Sequence, residues 1–271
     1  MKTRVITAAV LTPLLLIIVL LLPKIITAVL FGLICAMMSY ELLHSTALVR
    51  HARLNVYAIV MSFLVAIWSY FDMPYAWGVL GLLVYFAALF AELMASHVKV
   101  RFDRIAVCFV AGVLLPYLLT ALVRIHGVKE GRFLIMIPFV IAWLSDSGAY
   151  FAGRAFGQHK LAPVISPKKT VEGMVGGILT AMAGMVVYML VLNLIFEFKV
   201  NYLYALVYGL VGALGGVFGD LCFSVIKRQT GIKDYSKLIP GHGGMLDRFD
   251  SMIVVAPLVE ALLLLIPVAV K

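Results

Sequence analysis

The residues with the most chemical potential are carboxylates and cations set into a chain of long apolar runs. Asp220 follows five glycines, Gly209, Gly212, Gly215, Gly216 and Gly219, inside one such run. A carboxylate at membrane depth is costly and marks a site, a pathway or a paired ion. On a helix, Asp220, Ser224, Lys227 and Arg228 stand at i, i+4, i+7 and i+8 and share a face. Asp220 also lies near the expected C-terminal end of its helix, where the macrodipole disfavours negative charge, so it calls for a cation. Lys227 could be that cation, with no function attached; a metal or a substrate is the other reading. The glycine stripe either packs helices together or clears room for a ligand beside Asp220, and the two are compatible.

Residues 240–250 read Pro-Gly-His-Gly-Gly-Met-Leu-Asp-Arg-Phe-Asp. Gly241, Gly243 and Gly244 surround His242 and predict a flexible turn ahead of a helix. Free backbone N–H groups at such a start suit an anion such as phosphate. Asp247 and Asp250, three apart, are expected to share a face of the last helix's first turn. Acids there also suit the dipole, but that does not account for Arg248 between them. Mg²⁺ takes one or two carboxylates and leaves its other positions to phosphates and water. Asp220 and Asp247, brought together from two helices, would meet that need.

Residues 166–173 read Ser-Pro-Lys-Lys-Thr-Val-Glu-Gly and predict a helix capped by Ser166, with Pro167 in its first turn. Lys168 and Lys169 would then stand at a helix N-terminus, the wrong end for cations unless an anion is near. A phosphate would reverse the sign; a solvated or headgroup-facing pair is the plainer alternative. Asp146, Tyr150 and Arg154 repeat at i, i+4 and i+8, as an internal relay or as part of a substrate site. Glu260 lies mid-span and implies a partner, whereas Glu41 and Glu92 lie nearer helix ends and are expected to be merely tolerated. His44, His51, His97, His126 and His159 have no ligand-like spacing. Cys35, Cys108 and Cys222 lie in apolar runs and read as small buried hydrophobes.

The elements that must position these groups follow from composition. Of 271 residues, 64% are hydrophobic and 13% charged, which excludes a soluble domain, a secreted disulfide scaffold and a disordered chain. The expected class is all-α, a polytopic membrane protein. Runs long enough to span fall near 5–22, 25–43, 55–71, 75–95, 105–123, 133–153, 173–196, 202–226 and 251–270, nine in all. With the N-terminus inside, sixteen Lys and Arg fall on inner segments and six on outer ones, which favours a cytoplasmic N-terminus and an outside C-terminus. Two polar segments, 154–172 and 220–250, hold 14 of the 35 charges, both on the inner face. Any chemistry is therefore expected there. The chain divides into an N-terminal set of about five membrane helices, 1–125, and a catalytic membrane region, 126–271. The net charge of +9 would raise nucleic-acid binding in a soluble protein; here loop topology and a phosphate site account for it, and no nucleic-acid partner is needed.

Residues 224–250, SVIKRQTGIKDYSKLIPGHGGMLDRFD, resemble the motif of the CDP-diacylglycerol synthases, also called phosphatidate cytidylyltransferases. The matching positions are Ser224, Lys227, Arg228, Lys233, Asp234, Ser236, Pro240, His242, Gly243, Gly244, Asp247, Arg248 and Asp250. The likeness reaches upstream to Asp220, to residues 166–173 and to residues 146–153, so it covers about the C-terminal half. It implies that CTP and phosphatidic acid react to CDP-diacylglycerol and pyrophosphate at the cytoplasmic face of a bacterial inner membrane. By the same likeness, Asp220 and Asp247 hold Mg²⁺, as one or two divalent ions with room for a second cation. The catalytic set implied is Asp220, Asp247, Lys227, His242 and Asp250, with His242 as a positioning donor. Lys168, Lys169, Ser224, Arg228, Lys233, Gly243, Gly244, Arg248 and Asp146 are expected to bind substrate or phosphate. CTP, phosphatidic acid and the bilayer are the expected partners, with a homodimer allowed. Two alternatives remain beside this reading: a CTP-dependent polyprenol or phytol kinase, and a cation transporter with carboxylates near the midplane.

Overall fold

The structure, a computed structural model, describes residues 2–71, 73–96, 100–239, 241 and 243–271, with residues 2–8 and 11 by backbone alone. His242, expected to act in catalysis, lies outside the described residues, as do Pro240, His97 and Lys99. Among the described residues, seven helical stretches are long and apolar enough to cross a membrane: Lys24–Ser45, Ala52–Tyr70, Tyr75–Ala95, Phe102–Gly127, Gly131–Phe156, Val171–Phe196 and Tyr202–Gln229. They coincide with the second to eighth expected runs. Large apolar side chains such as Leu179, Leu194, Leu203 and Phe218 lie exposed along them. A water-facing surface does not tolerate such extensive apolar exposure, whereas a lipid-facing one requires it. The chain is an all-α integral membrane protein.

Two compact units make up the molecule, one of Met1–Gly127 and Gln229–Phe249, the other of Val128–Arg228 and Asp250–Lys271. In the first, α1 (Lys2–Leu21) precedes α2 (Lys24–Tyr40), which runs on into a π-helical turn at Glu41–Ser45. Next come α3 (Ala52–Tyr70) and α4 (Tyr75–Ala95). Then α5 (Phe102–Phe109) passes through a second π turn, Val110–Leu114, into α6 (Leu115–Leu119) and α7 (Ala121–Gly127). Pro116 has no N–H to give the carbonyl four residues back, and the helix widens just before it. The Tyr85 hydroxyl crosses from α4 to donate to the Cys108 carbonyl at 2.8 Å. Glu92 is buried, with His51 Nε2 at 3.3 Å and Arg53 Nη1 at 3.6 Å, so it is paired across helices and not merely tolerated. The returning segment carries the four-residue α12 (Leu246–Phe249), whose Phe249 ring meets Phe31 of α2 edge to face.

The second unit holds α8 (Gly131–Leu134), α9 (Met136–Phe156), the hairpin of β1 (Lys160–Ala162) and β2 (Ser166–Thr170), and α10 (Val171–Phe196). It continues with β3 (Lys199–Val200), α11 (Tyr202–Gln229), α13 (Met252–Leu265) and β4 (Ala269–Val270), β3 pairing with β4. The last expected run, 251–270, thus contains 14 helical residues, about 21 Å at 1.5 Å per residue. The α9 and α10 backbones approach closely because their facing residues are small: a Cβ on Gly176 would overlap that of Ala152. Along α11, Gly209 abuts the α10 backbone at Met182, Gly212 meets Ile141 of α9, and Gly215 and Gly219 face α13 and its start. The glycine stripe before Asp220 is a packing surface.

The start of α10 differs from the expected one. The helix predicted to open at Ser166 and Pro167 opens at Val171 instead. Proline disfavours helical backbone in the residue before it, and Ser166 pairs in register with Ala162 of β1. Thr170 is the true cap, its Oγ1 accepting from Gly173 N at 3.1 Å. Lys168 and Lys169 therefore lie on a strand and point to opposite faces.

Candidate active site

In the second unit, β2, α11 and the start of α13 converge on Asp220. Lys169 Nζ lies 2.5 Å from Asp220 Oδ2, and Ser224, one turn on, donates from Oγ to Oδ1 at 3.1 Å. The cation that Asp220 requires comes from a strand distant in sequence, through the one lysine of the pair that the strand aims inward; Lys168 is exposed. Gly219 makes room for the neighbouring acid, since a Cβ there would stand 2.6 Å from the Asp250 carbonyl oxygen. Asp250 accepts from Ser251 N at 2.8 Å. Desolvation, then repulsion by Asp220 and more weakly by Asp146, pushes the Asp250 carboxyl up to about 7, against the pull of the Ser251 N–H and of Lys227. The expected residues Asp146, Lys169, Asp220, Ser224, Lys227 and Asp250 therefore belong to one electrostatic cluster. Arg228 lies at the end of α11 and ties it to the hairpin through Nε to the Ile165 carbonyl at 3.0 Å.

The hairpin is also fastened to α10. Glu172 accepts from the backbone N–H groups of Gln158 and His159, and its Oε1 lies 2.6 Å from His159 Nδ1. His159, without ligand-like spacing in the sequence, is a structural partner.

In the first unit, Asp247 organises the glycine turn. Its Oδ2 accepts from Tyr235 N at 2.8 Å and Gly244 N at 3.0 Å. Gly243 lies at φ +85°, where a side chain would be strained and would also press on that carboxylate. Ile239 N donates to the Gly243 carbonyl at 3.0 Å and closes the turn. Lys233 and Arg248 are exposed on this segment. Asp247 stands in α12 and Asp250 in the turn before α13, so the two acids do not share one helix's first turn as their spacing suggested. Glu41, expected to be tolerated at a helix end, is buried and bonded to this same segment. No spacing rule points to a partner so far along the chain.

Hard oxygen donors suit a hard divalent ion, which takes few carboxylates and leaves the rest of its shell to phosphate and water. Asp220 and Asp250 supply such donors, and Asp220 is already paired with the Lys169 ammonium. Their chemistry suits Mg²⁺, but among the described residues no three His, Cys, Asp or Glu side chains gather into a metal site.

Acids and lysines thus gather beside a polar hairpin in the second unit. The chain belongs to the cytidylyltransferase family, whose sequence model matches residues 2–266. It is 43% identical over 136 residues to the phosphatidate cytidylyltransferase of Staphylococcus saprophyticus, a stretch covering 50% of this chain and 51% of that protein. Similar values hold for the Staphylococcus epidermidis protein, with 44% over 136 residues, 50% of this chain and 51% of that one. The Haemophilus influenzae protein of the same name is 42% identical over 132 residues, 49% of this chain and 46% of its own. The chain spans about half the length of these relatives.

Proposed function

We propose that this protein transfers the cytidylyl group of CTP to phosphatidic acid, giving CDP-diacylglycerol and pyrophosphate. The carrying observation is the Lys169–Asp220–Asp250 cluster in a chain of this family. A phosphate oxygen of phosphatidic acid attacks the α-phosphorus of CTP in line. A new P–O bond forms there as the bond to the bridging oxygen of the β-phosphate breaks, and pyrophosphate leaves. The attacking phosphate is already ionised at neutral pH, so no strong base is needed; the barrier is chiefly repulsion between two anions and their alignment.

Asp220 and Asp247 are assigned as metal ligands, with Asp250 as the acid beside Asp220. Bound Mg²⁺ supplies Lewis-acid charge stabilisation at the phosphoryl oxygens. Lys169 and Lys227 neutralise and hold phosphates, joined by Lys168, Arg228, Lys233 and Arg248; His242 is assigned a positioning donor role. When substrate phosphate enters, the Lys169 ammonium has an anionic partner besides Asp220. The lipid enters sideways with its tails in the bilayer. A cavity of about 530 Å³ along the α9–α10 seam, lined by Ser147, Gly148, Phe151, Ala152, Phe156 and Thr180, supports this route. The charge bias of the loops supports nine spans with an inside N-terminus, an outside C-terminus, and a site on the cytoplasmic face of a bacterial inner membrane.

The test is turnover by the purified protein in detergent with phosphatidic acid, CTP and Mg²⁺. Mg²⁺-dependent release of pyrophosphate is expected. Release of CDP instead would sink the reading in favour of a lipid kinase.

A further inference from the structure

We infer that Glu41 is a positioning residue for catalysis, holding the backbone of residues 244–246, and through it Asp247, in working geometry. The inference rests on the function proposed above. Glu41 is 2% exposed, and its two carboxyl oxygens accept three hydrogen bonds from the far end of the sequence. Ser236 Oγ donates to Oε1 at 2.6 Å, Met245 N to Oε1 at 2.9 Å and Leu246 N to Oε2 at 2.7 Å. Opening N–H groups of a helix have no intrahelical acceptor; Leu246 N is such a group in α12, whereas Arg248 N and Phe249 N donate to the Met245 carbonyl.

The placement constrains the glycine turn from outside as Asp247 does from within. A Cβ on Gly244 would stand 2.6 Å from Glu41 Oε2, so the second glycine of the pair is there because the carboxyl is there. Gly244 N donates to Asp247 Oδ2 while Met245 N and Leu246 N donate to Glu41. Three successive N–H groups are thus shared between two acids, and neither acid can shift without moving the strip of backbone they hold. Tyr235 and Leu246 are fully buried on either side of the turn, and Phe249 meets Phe31, ten residues before Glu41 on α2. Glu41 also opens the π-helical turn that continues that helix, a distortion frequent at functional sites. Stability alone does not select a buried acid, because a well-packed apolar side chain is commonly as stabilising. What the acid adds is a fixed location for the three donors.

The experiment compares the wild type with Glu41→Gln, which keeps the shape but loses acceptors. Turnover per folded molecule, the KM for CTP, the melting temperature and amide hydrogen exchange across residues 235–249 are measured on the full chain in detergent. The expected result is a kcat lowered roughly 10- to 100-fold, as for other residues that orient metal ligands. The KM for CTP should change by less than about threefold, with faster exchange at residues 244–246, because misplacement acts on the transition state more than on ground-state binding. Unchanged kcat per folded molecule overturns the inference, and so does a lowered kcat with unchanged exchange. If Glu41→Gln does not fold, Ser236→Ala, which removes one of the three donors, is expected to give a smaller loss of the same kind. Full activity in that variant overturns the inference. Absence of wild-type turnover would instead refute the proposed reaction, while the exchange comparison would still report on the clamp.

Discussion

Asp220 illustrates how a costly residue acquires its partner. A half-buried carboxylate nine residues before the end of α11 is satisfied by Lys169 from β2 at 2.5 Å, and Asp250 next to it carries the strain of a second acid. Lys169→Met is expected to cut turnover at least about tenfold through loss of phosphate binding, whereas Lys168→Met, on the opposite strand face, should cost less; steady-state kinetics on both variants checks this. The Asp250 shift has a sign that can be tested without substrate. An acid whose folded value is raised from 3.8 to about 7 favours its protonated form in the fold, so it costs stability as pH rises through that window and no more above it. In metal-free protein, Asp250→Asn should therefore melt like the wild type near pH 4 and progressively higher than it toward pH 7. A melting difference that is flat with pH would contradict the placement.

At the scale of elements, the site depends on where helices begin and how closely they approach. Thr170 caps α10 and so fixes the strand that carries Lys169; Thr170→Ala is expected to cost about 1 kcal/mol, read from chemical denaturation. Gly219→Val should disturb fold and site together, because the added side chain meets the backbone of Asp250 and Ser251 where α11 packs on the start of α13. A lowered melting temperature together with lowered turnover is the expected pattern. Element boundaries were legible where long apolar runs end at polar residues, as for α3, α4 and α11. The Ser-Pro pair misled because the same two residues suit a helix start or an extended strand, and only the pairing of β2 with β1 decides. Glu41 was illegible for a different reason: its partners lie 195 to 205 residues further on, and no local pattern reports a contact across that distance.

For the whole molecule, the polar segment 154–172 contributes Lys169 to the cluster and 220–250 contributes Asp220, Lys227 and Asp250, whereas Asp146 lies outside both. Their grouping into two units, with residues 229–249 belonging to the N-terminal one, was not readable from composition. The proposed orientation rests on the basic residues and is open to labelling. In a cysteine-free background, Lys129→Cys and Lys199→Cys should react with an impermeant maleimide from outside, and Lys160→Cys only after the membrane is opened. The proposed reaction turns on which phosphorus of CTP reaches the lipid. With CTP labelled separately at its α- and γ-phosphorus, phosphatidic acid and Mg²⁺, the α label is expected in the lipid product and the γ label in pyrophosphate. Appearance of the γ label in the lipid would contradict cytidylyl transfer.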